Sequence, residues 1–109
     1  MKNQTVYLNH ILDAIKEIEI FSEDKNWQDA KTERAIERCI EIIGEAANNL
    51  SKEFQKRFSE VEWNLVIGMR HKIIHDYFDV DPNLVKSTVE EDIPVLKKQI
   101  RKILKDLEE

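Results

Sequence analysis

The stretch IERCIEIIGEAANNL, residues 36–50, decides the fold. Ile36, Ile40, Ile43, Ala47 and Leu50 recur at steps of four and three, the period of a helix face, and Cys39, Ile42 and Ala46 widen that face. A helix apolar over so broad an arc needs more than one packing partner. Gly44, Ala46 and Ala47 would let one of those partners approach closely. The spacing therefore predicts the central helix of a bundle. Its start falls near Asp29 or Thr32; a Thr32 cap would lead into Glu33 to Leu50.

The flanking segments fit the same architecture. Tyr7, Ile11, Ala14, Ile18 and Phe21 predict a helix over 4–22, and SEDKNW (22–27), with Ser, Asp and Asn but no period, predicts a loop. Ser51 followed by Glu53 and Phe54 resembles a cap opening a short helix that ends near Phe58. A further helix is expected over 62–77, stopped by DVDPN (79–83), because Pro82 disfavours helix at Asp81. From Pro82 on, Val85, Val89, Ile93, Leu96, Ile100, Ile103 and Leu107 keep their rhythm through Pro94. That rhythm predicts one long kinked helix, with a break at Ile93 as the alternative. The expected fold is all-α: one domain over 1–109, an antiparallel bundle of four main helices plus a short one.

Composition agrees. The chain is 41% hydrophobic and 36% charged, with only two Gly and two Pro, which suits a helical protein better than a sheet-rich or disordered one. The lone Cys39 excludes an intrachain disulfide and a paired-cysteine metal signature, and fits a reducing, cytoplasmic setting. His10, Asp13, Lys16, Glu17 and Glu19 interrupt the first apolar segment, so neither a leader nor a membrane span is expected. A net charge of −5 provides no general attraction to nucleic acid, so any RNA contact must be local. The basic cluster Lys97, Lys98, Arg101, Lys102 and Lys105 either complements the negative end of a helix dipole or forms a binding patch.

Residues 68–78, GMRHKIIHDYF, carry the chemistry. On a helical wheel Arg70 falls amid Val66, Ile67, Ile73, Ile74, Tyr77 and Phe78, an awkward place for a guanidinium, which cannot shed its charge. Three readings compete. In the first, Arg70 pairs with a carboxylate of a neighbouring helix, and His71, His75 and Tyr77 are ordinary bundle residues. In the second, His71 and His75, four apart, supply two metal ligands; the glutamate of an H-E-x-x-H motif is missing, since Lys72 follows His71. In the third, the segment cleaves RNA without a metal or other cofactor: Arg70 clamps the phosphate and His75 transfers protons during attack of a 2′-hydroxyl. Five residues along an ideal helix turn through about 140°, so Arg70 and His75 of one straight helix would not converge. Either the helix distorts near Asp76, or two subunits of a two-fold homodimer share the site.

These residues resemble a known family. Arg70, His75 and Tyr77 reproduce the R-x4-H-x-Y pattern of HEPN-domain (higher eukaryotes and prokaryotes nucleotide-binding) toxins of the HepT type. His71 after the arginine, EIIGEAANNLS at 41–51, Trp63, GMR at 68–70, HDYF at 75–78 and VEEDIPVLKKQI at 89–100 extend the resemblance over nearly the whole chain. The resemblance implies a homodimeric, metal-independent endoribonuclease, the toxin of a type VII toxin–antitoxin system, with catalytic Arg70 and His75 at the dimer interface. His71 is a further candidate for phosphate contact. It also implies a minimal nucleotidyltransferase antitoxin as partner, which neutralises the toxin by transferring AMP to Tyr77. Glu45 is either a solvated helix residue or one that orients Arg70 or His75. The alternative function is a HEPN-fold subunit that binds nucleotide or RNA within a nucleotidyltransferase complex without cutting it.

Overall fold

The computed structural model describes residues 3–74 and 80–108. Its helices are α1 (Gln4–Phe21), α2 (Ala30–Asn49), α3 (Lys52–Arg57), α4 (Trp63–Ile67), α5 (Met69–Ile73), α6 (Pro82–Ser87) and α7 (Ile93–Glu108), with a π turn at Thr88–Asp92 joining the last two. Among the described residues the sole strand-like feature is one antiparallel bridge between Ile74 and Val80. The all-α expectation holds. Helices α1 and α2, the α4–α5 pair and the α6–α7 run form the main walls, and α3 is the short element.

Local chemistry explains the boundaries. The Asn3 carboxamide oxygen accepts from the Thr5 N–H at 3.0 Å and opens α1. Asp29, rather than Thr32, caps α2: its carboxylate accepts from the Thr32 N–H at 2.8 Å and the Thr32 hydroxyl at 3.0 Å. These hydrogen bonds, the backbone one foremost, hold the Asp29 carboxyl below its ordinary value. Ser51 caps α3 as expected, its hydroxyl oxygen accepting from Phe54 N–H at 3.1 Å. The buried Gln55 amide then donates to the Ala47 and Leu50 carbonyls at the end of α2, both at 3.2 Å, adding to the Leu50 N–H that Ala47 already accepts.

Burial follows the predicted stripe closely in α2, while in α1 it shifts toward Leu8 and Ile15 and leaves Tyr7 and Phe21 only partly buried, as is Leu107 at the end of the last helix. Leu8, Ile11, Ala14, Ile15 and Ile18 of α1 meet Ile36, Cys39, Ile40, Ile43, Ala46 and Ala47 of α2, and Ile93, Leu96, Ile100 and Ile103 of α7 complete the core. As its wide apolar arc predicts, α2 packs on α1 along one side and on α4 and α5 along another. Gly44 makes the second contact possible, because a Cβ there would lie 2.8 Å from the Ile67 carbonyl oxygen. Gly44→Ala is expected to lower stability by about 1 kcal/mol: overpacking costs about 1–3 kcal/mol, which exceeds the ~1 kcal/mol of helix propensity gained. Thermal unfolding should show a Tm roughly 4–8 °C lower; an unchanged or raised Tm would contradict the close approach.

One expectation is corrected and one is decided between its alternatives. The helix expected over 62–77 is two short helices joined at Gly68, and the second stops at Ile73. Ile74 is extended (ψ 124°), and the Ile73 carbonyl, which a continuing helix would offer to residue 77, accepts from the Asp81 N–H at 2.7 Å. A hydrogen bond from eight residues along the chain thus ends the helix, and hydrophobic period could not reveal it. The run from Pro82 is helical to Glu108, as the kinked-helix reading expects, and the irregularity lies just before Pro94 rather than as a break at Ile93. There the Ile93 N–H donates to the Thr88 carbonyl in an i to i−5 bond. Such a widened turn accommodates the N–H that a proline lacks and the bulk of its ring. No described helix is long and apolar enough to cross a membrane.

Candidate active site

The described part of the motif lies where α5 crosses α2. The close approach at Gly44 brings α4 and α5 down on α2, and the chain turns at Gly68 just before Met69 inserts into the core. Arg70 follows Met69 and comes out at the edge of that contact, its side chain 41% exposed. The wheel's picture of a cation central in an apolar arc is therefore wrong, since it assumed one straight helix through Phe78.

Arg70 faces a row of carboxylates on α2. Its Nη2 lies 3.3 Å from Glu37 Oε1 and its Nε 3.1 Å from Glu41 Oε2. The Nε–H is buried and not aligned on any acceptor, so charge rather than a linear hydrogen bond holds the second contact. Within α2, Arg38 pairs with Glu41 and, at 3.8 Å, with Glu45. Glu45 thus belongs to the acidic row but is paired with Arg38, not with Arg70. Sequence reasoning singled out Glu45 and missed Glu37 and Glu41. The four-residue spacing of all three on one face of the central helix was the available signal.

A cleft of about 200 Å³ opens beside this pairing, lined by Glu41, Gly44, Glu45, Asn48, Arg70 and His71 among others. His71 is exposed and shares the cleft with Arg70, while the next residue, Lys72, turns away to Asp92 at 2.6 Å. The structure therefore brings Arg70 and His71 together. His75 and Tyr77 lie outside the described residues. The wheel angles that related them to Arg70 assumed helix beyond Ile73, where α5 ends. Among the described residues no cluster of three or more His, Cys, Asp or Glu side chains could hold a metal ion. The Cys39 thiol, buried in the core, is pushed up to about 11 by burial and then by the charge of Glu17. It remains protonated near neutral pH and supplies no nucleophile.

Comparison with known proteins adds a family to this geometry. The profile described as "Ribonuclease HepT-like" matches residues 11–103. "Putative RNase TTE0752" of Caldanaerobacter subterraneus is 41% identical over 95% of this chain and 96% of its own length. "Probable ribonuclease HepT" of Thermococcus cleftensis is 41% identical over 91% of this chain and 94% of its own. A two-part protein of Methanocaldococcus jannaschii, "Gamma-glutamylcyclotransferase and putative RNase", is 41% identical over 98% of this chain, which spans 50% of that protein's length. No solved structure gives a significant match.

Proposed function

This chain belongs to the HepT-like ribonuclease family, and from that premise we propose that it is a metal-independent endoribonuclease toxin. The observation that carries this reading is the half-exposed Arg70 beside His71 in an open cleft, a permanent cation placed where a phosphate can reach it. In the reaction a base takes the proton of a 2′-hydroxyl, whose oxygen attacks the adjacent phosphorus. The 5′-oxygen leaves with a proton from an acid, giving a 2′,3′-cyclic phosphate and a 5′-hydroxyl. His75 carries the proton transfers, Arg70 stabilises the charge gathering on the phosphoryl oxygens, and His71 adds a phosphate contact. Two copies in a homodimer would supply an acid and a base from one motif histidine per chain. The setting would be the cytoplasm.

The partner in this proposal is a minimal nucleotidyltransferase that silences the toxin by transferring AMP to the Tyr77 hydroxyl. The added phosphodiester places negative charge and bulk within the motif that must receive RNA. Co-expression with such a partner should raise the intact mass by one or more AMP units, with no increase in a Tyr77→Phe variant. An unmodified wild-type mass would overturn adenylylation as the off-switch.

The isolated protein should cut RNA in the presence of EDTA and leave 2′,3′-cyclic phosphate ends. Cleavage that stops on chelation would sink the metal-free mechanism. RNA bound without turnover would assign the chain to the non-catalytic binding class instead.

A further inference from the structure

A guanidinium can be approached along its Nε–Nη2 side or its Nη1–Nη2 end, and each offers two parallel N–H donors to an oxyanion. In Arg70 the side edge is taken: Glu41 stands against Nε at 3.1 Å and Glu37 against Nη2 at 3.3 Å. Among the described residues nothing pairs with Nη1. Both carboxylates come from successive turns of α2, a 20-residue helix whose backbone is held by fully buried Ile36, Ile40 and Ile43. Arg70 itself sits on a five-residue helix that ends three residues later, at Ile73. The long, half-exposed arginine side chain is thus anchored from the stiffer element.

We propose that Glu37 and Glu41 are positioning residues for the RNA-cleaving site: they hold the side edge of Arg70 so that its Nη1–Nη2 end is the one presented to a phosphate in the cleft shared with His71. This inference rests on the ribonuclease reading above. The carboxylates do not help attract RNA. Glu37, Glu41 and Glu45 outnumber Arg38 and Arg70 in this cluster and repel a polyanion. Their contribution is orientation, felt in the chemical step, and a small misplacement of a phosphate clamp is costly there. The unaligned Nε–H leaves room for the guanidinium to settle onto Glu41 once a phosphate engages its far end.

Positioning and attraction separate in the kinetics. In the Glu37→Ala/Glu41→Ala double variant, kcat for RNA cleavage should fall by a factor on the order of ten to a hundred. KM should stay level or fall, because repulsion is relieved. Glu41→Gln, which keeps an acceptor at the same place, should recover most of the lost rate relative to Glu41→Ala. Far-ultraviolet circular dichroism and Tm should stay close to wild type, since partly exposed ion pairs contribute little stability. An unchanged kcat, a rise in kcat/KM, or a loss of rate matched by a loss of folded protein would each overturn the proposal. Arg70→Ala is assayed alongside. If it cleaves like wild type, the ribonuclease reading of Arg70 fails. If it is inactive while the double glutamate variant is fully active, only the positioning role fails.

Discussion

Replacing Arg70 by alanine is expected to lower kcat/KM for RNA cleavage by a factor on the order of 10²–10⁴ while leaving the protein folded. The size follows from the task proposed for the side chain. Cleavage by a 2′-hydroxyl builds negative charge on the phosphoryl oxygens without a metal to absorb it, and a bidentate guanidinium is the strongest side-chain substitute. The retained fold follows from the structure. The side chain is 41% exposed, and its partners Glu37 and Glu41 are themselves partly solvated at 22% and 34%. Ion pairs of this kind contribute about 0–1 kcal/mol, and the glutamates left behind can hydrate. Arg70→Lys should recover little, because a lysine keeps the charge but not the planar fork. His75→Ala should match the loss in rate through a different step, general acid–base catalysis being worth about 10²–10⁴-fold. Kinetics with a defined RNA, paired with thermal unfolding, check both halves. An Arg70→Ala protein that unfolds would return the residue to a structural role.

Ile40→Ala should do the opposite, weakening the fold that carries the site rather than the chemistry. Ile40 is fully buried on the face of α2 that meets its neighbours, and it also underlies the cleft beside Arg70. Truncating a fully buried isoleucine costs about 2–5 kcal/mol through lost burial and the cavity left behind. That is a large share of the 5–15 kcal/mol that typically stabilises a domain. A Tm more than ten degrees lower is the expected result, roughly what 2 kcal/mol or more does to a chain of this size. Leu65→Ala provides the contrast, because Leu65 is 66% exposed. Its effect should stay within about 0.5 kcal/mol. Similar small shifts for both would mean that the core does not run through α2 as described.

These two positions mark what could be read in advance. Ile40 was legible because burial on a helix face repeats every three or four residues, and the same rule identified the seams of α1 and α7 and the Ser51 cap. Arg70 was legible as chemistry, from its place in a family motif. Its surroundings were not. The periodic reading extended one helix to residue 77 and set Arg70 among apolar side chains, whereas α5 ends at Ile73 and Arg70 emerges at the surface. The proline rule correctly placed a boundary before Pro82, but the helix had already ended. The cause is the bond from Asp81 N–H to the Ile73 carbonyl, closed between residues that no local pattern relates.

By itself, then, the amino-acid order determined an all-α protein of the HepT-like family and most of the buried face of each long helix, and it pointed to the residues proposed to meet a phosphate. Periodicity and side-chain chemistry are properties of single segments, so they are written in the chain. Only the tertiary structure decided that the helix expected over 62–77 is divided at Gly68 into α4 and α5 and ends at Ile73, that a π turn precedes Pro94, and that Glu37 and Glu41 are the partners of Arg70. Each of these depends on how backbone groups and charges find partners once segments pack together, as when the missing side chain of Gly44 lets the Ile67 carbonyl come within reach of α2.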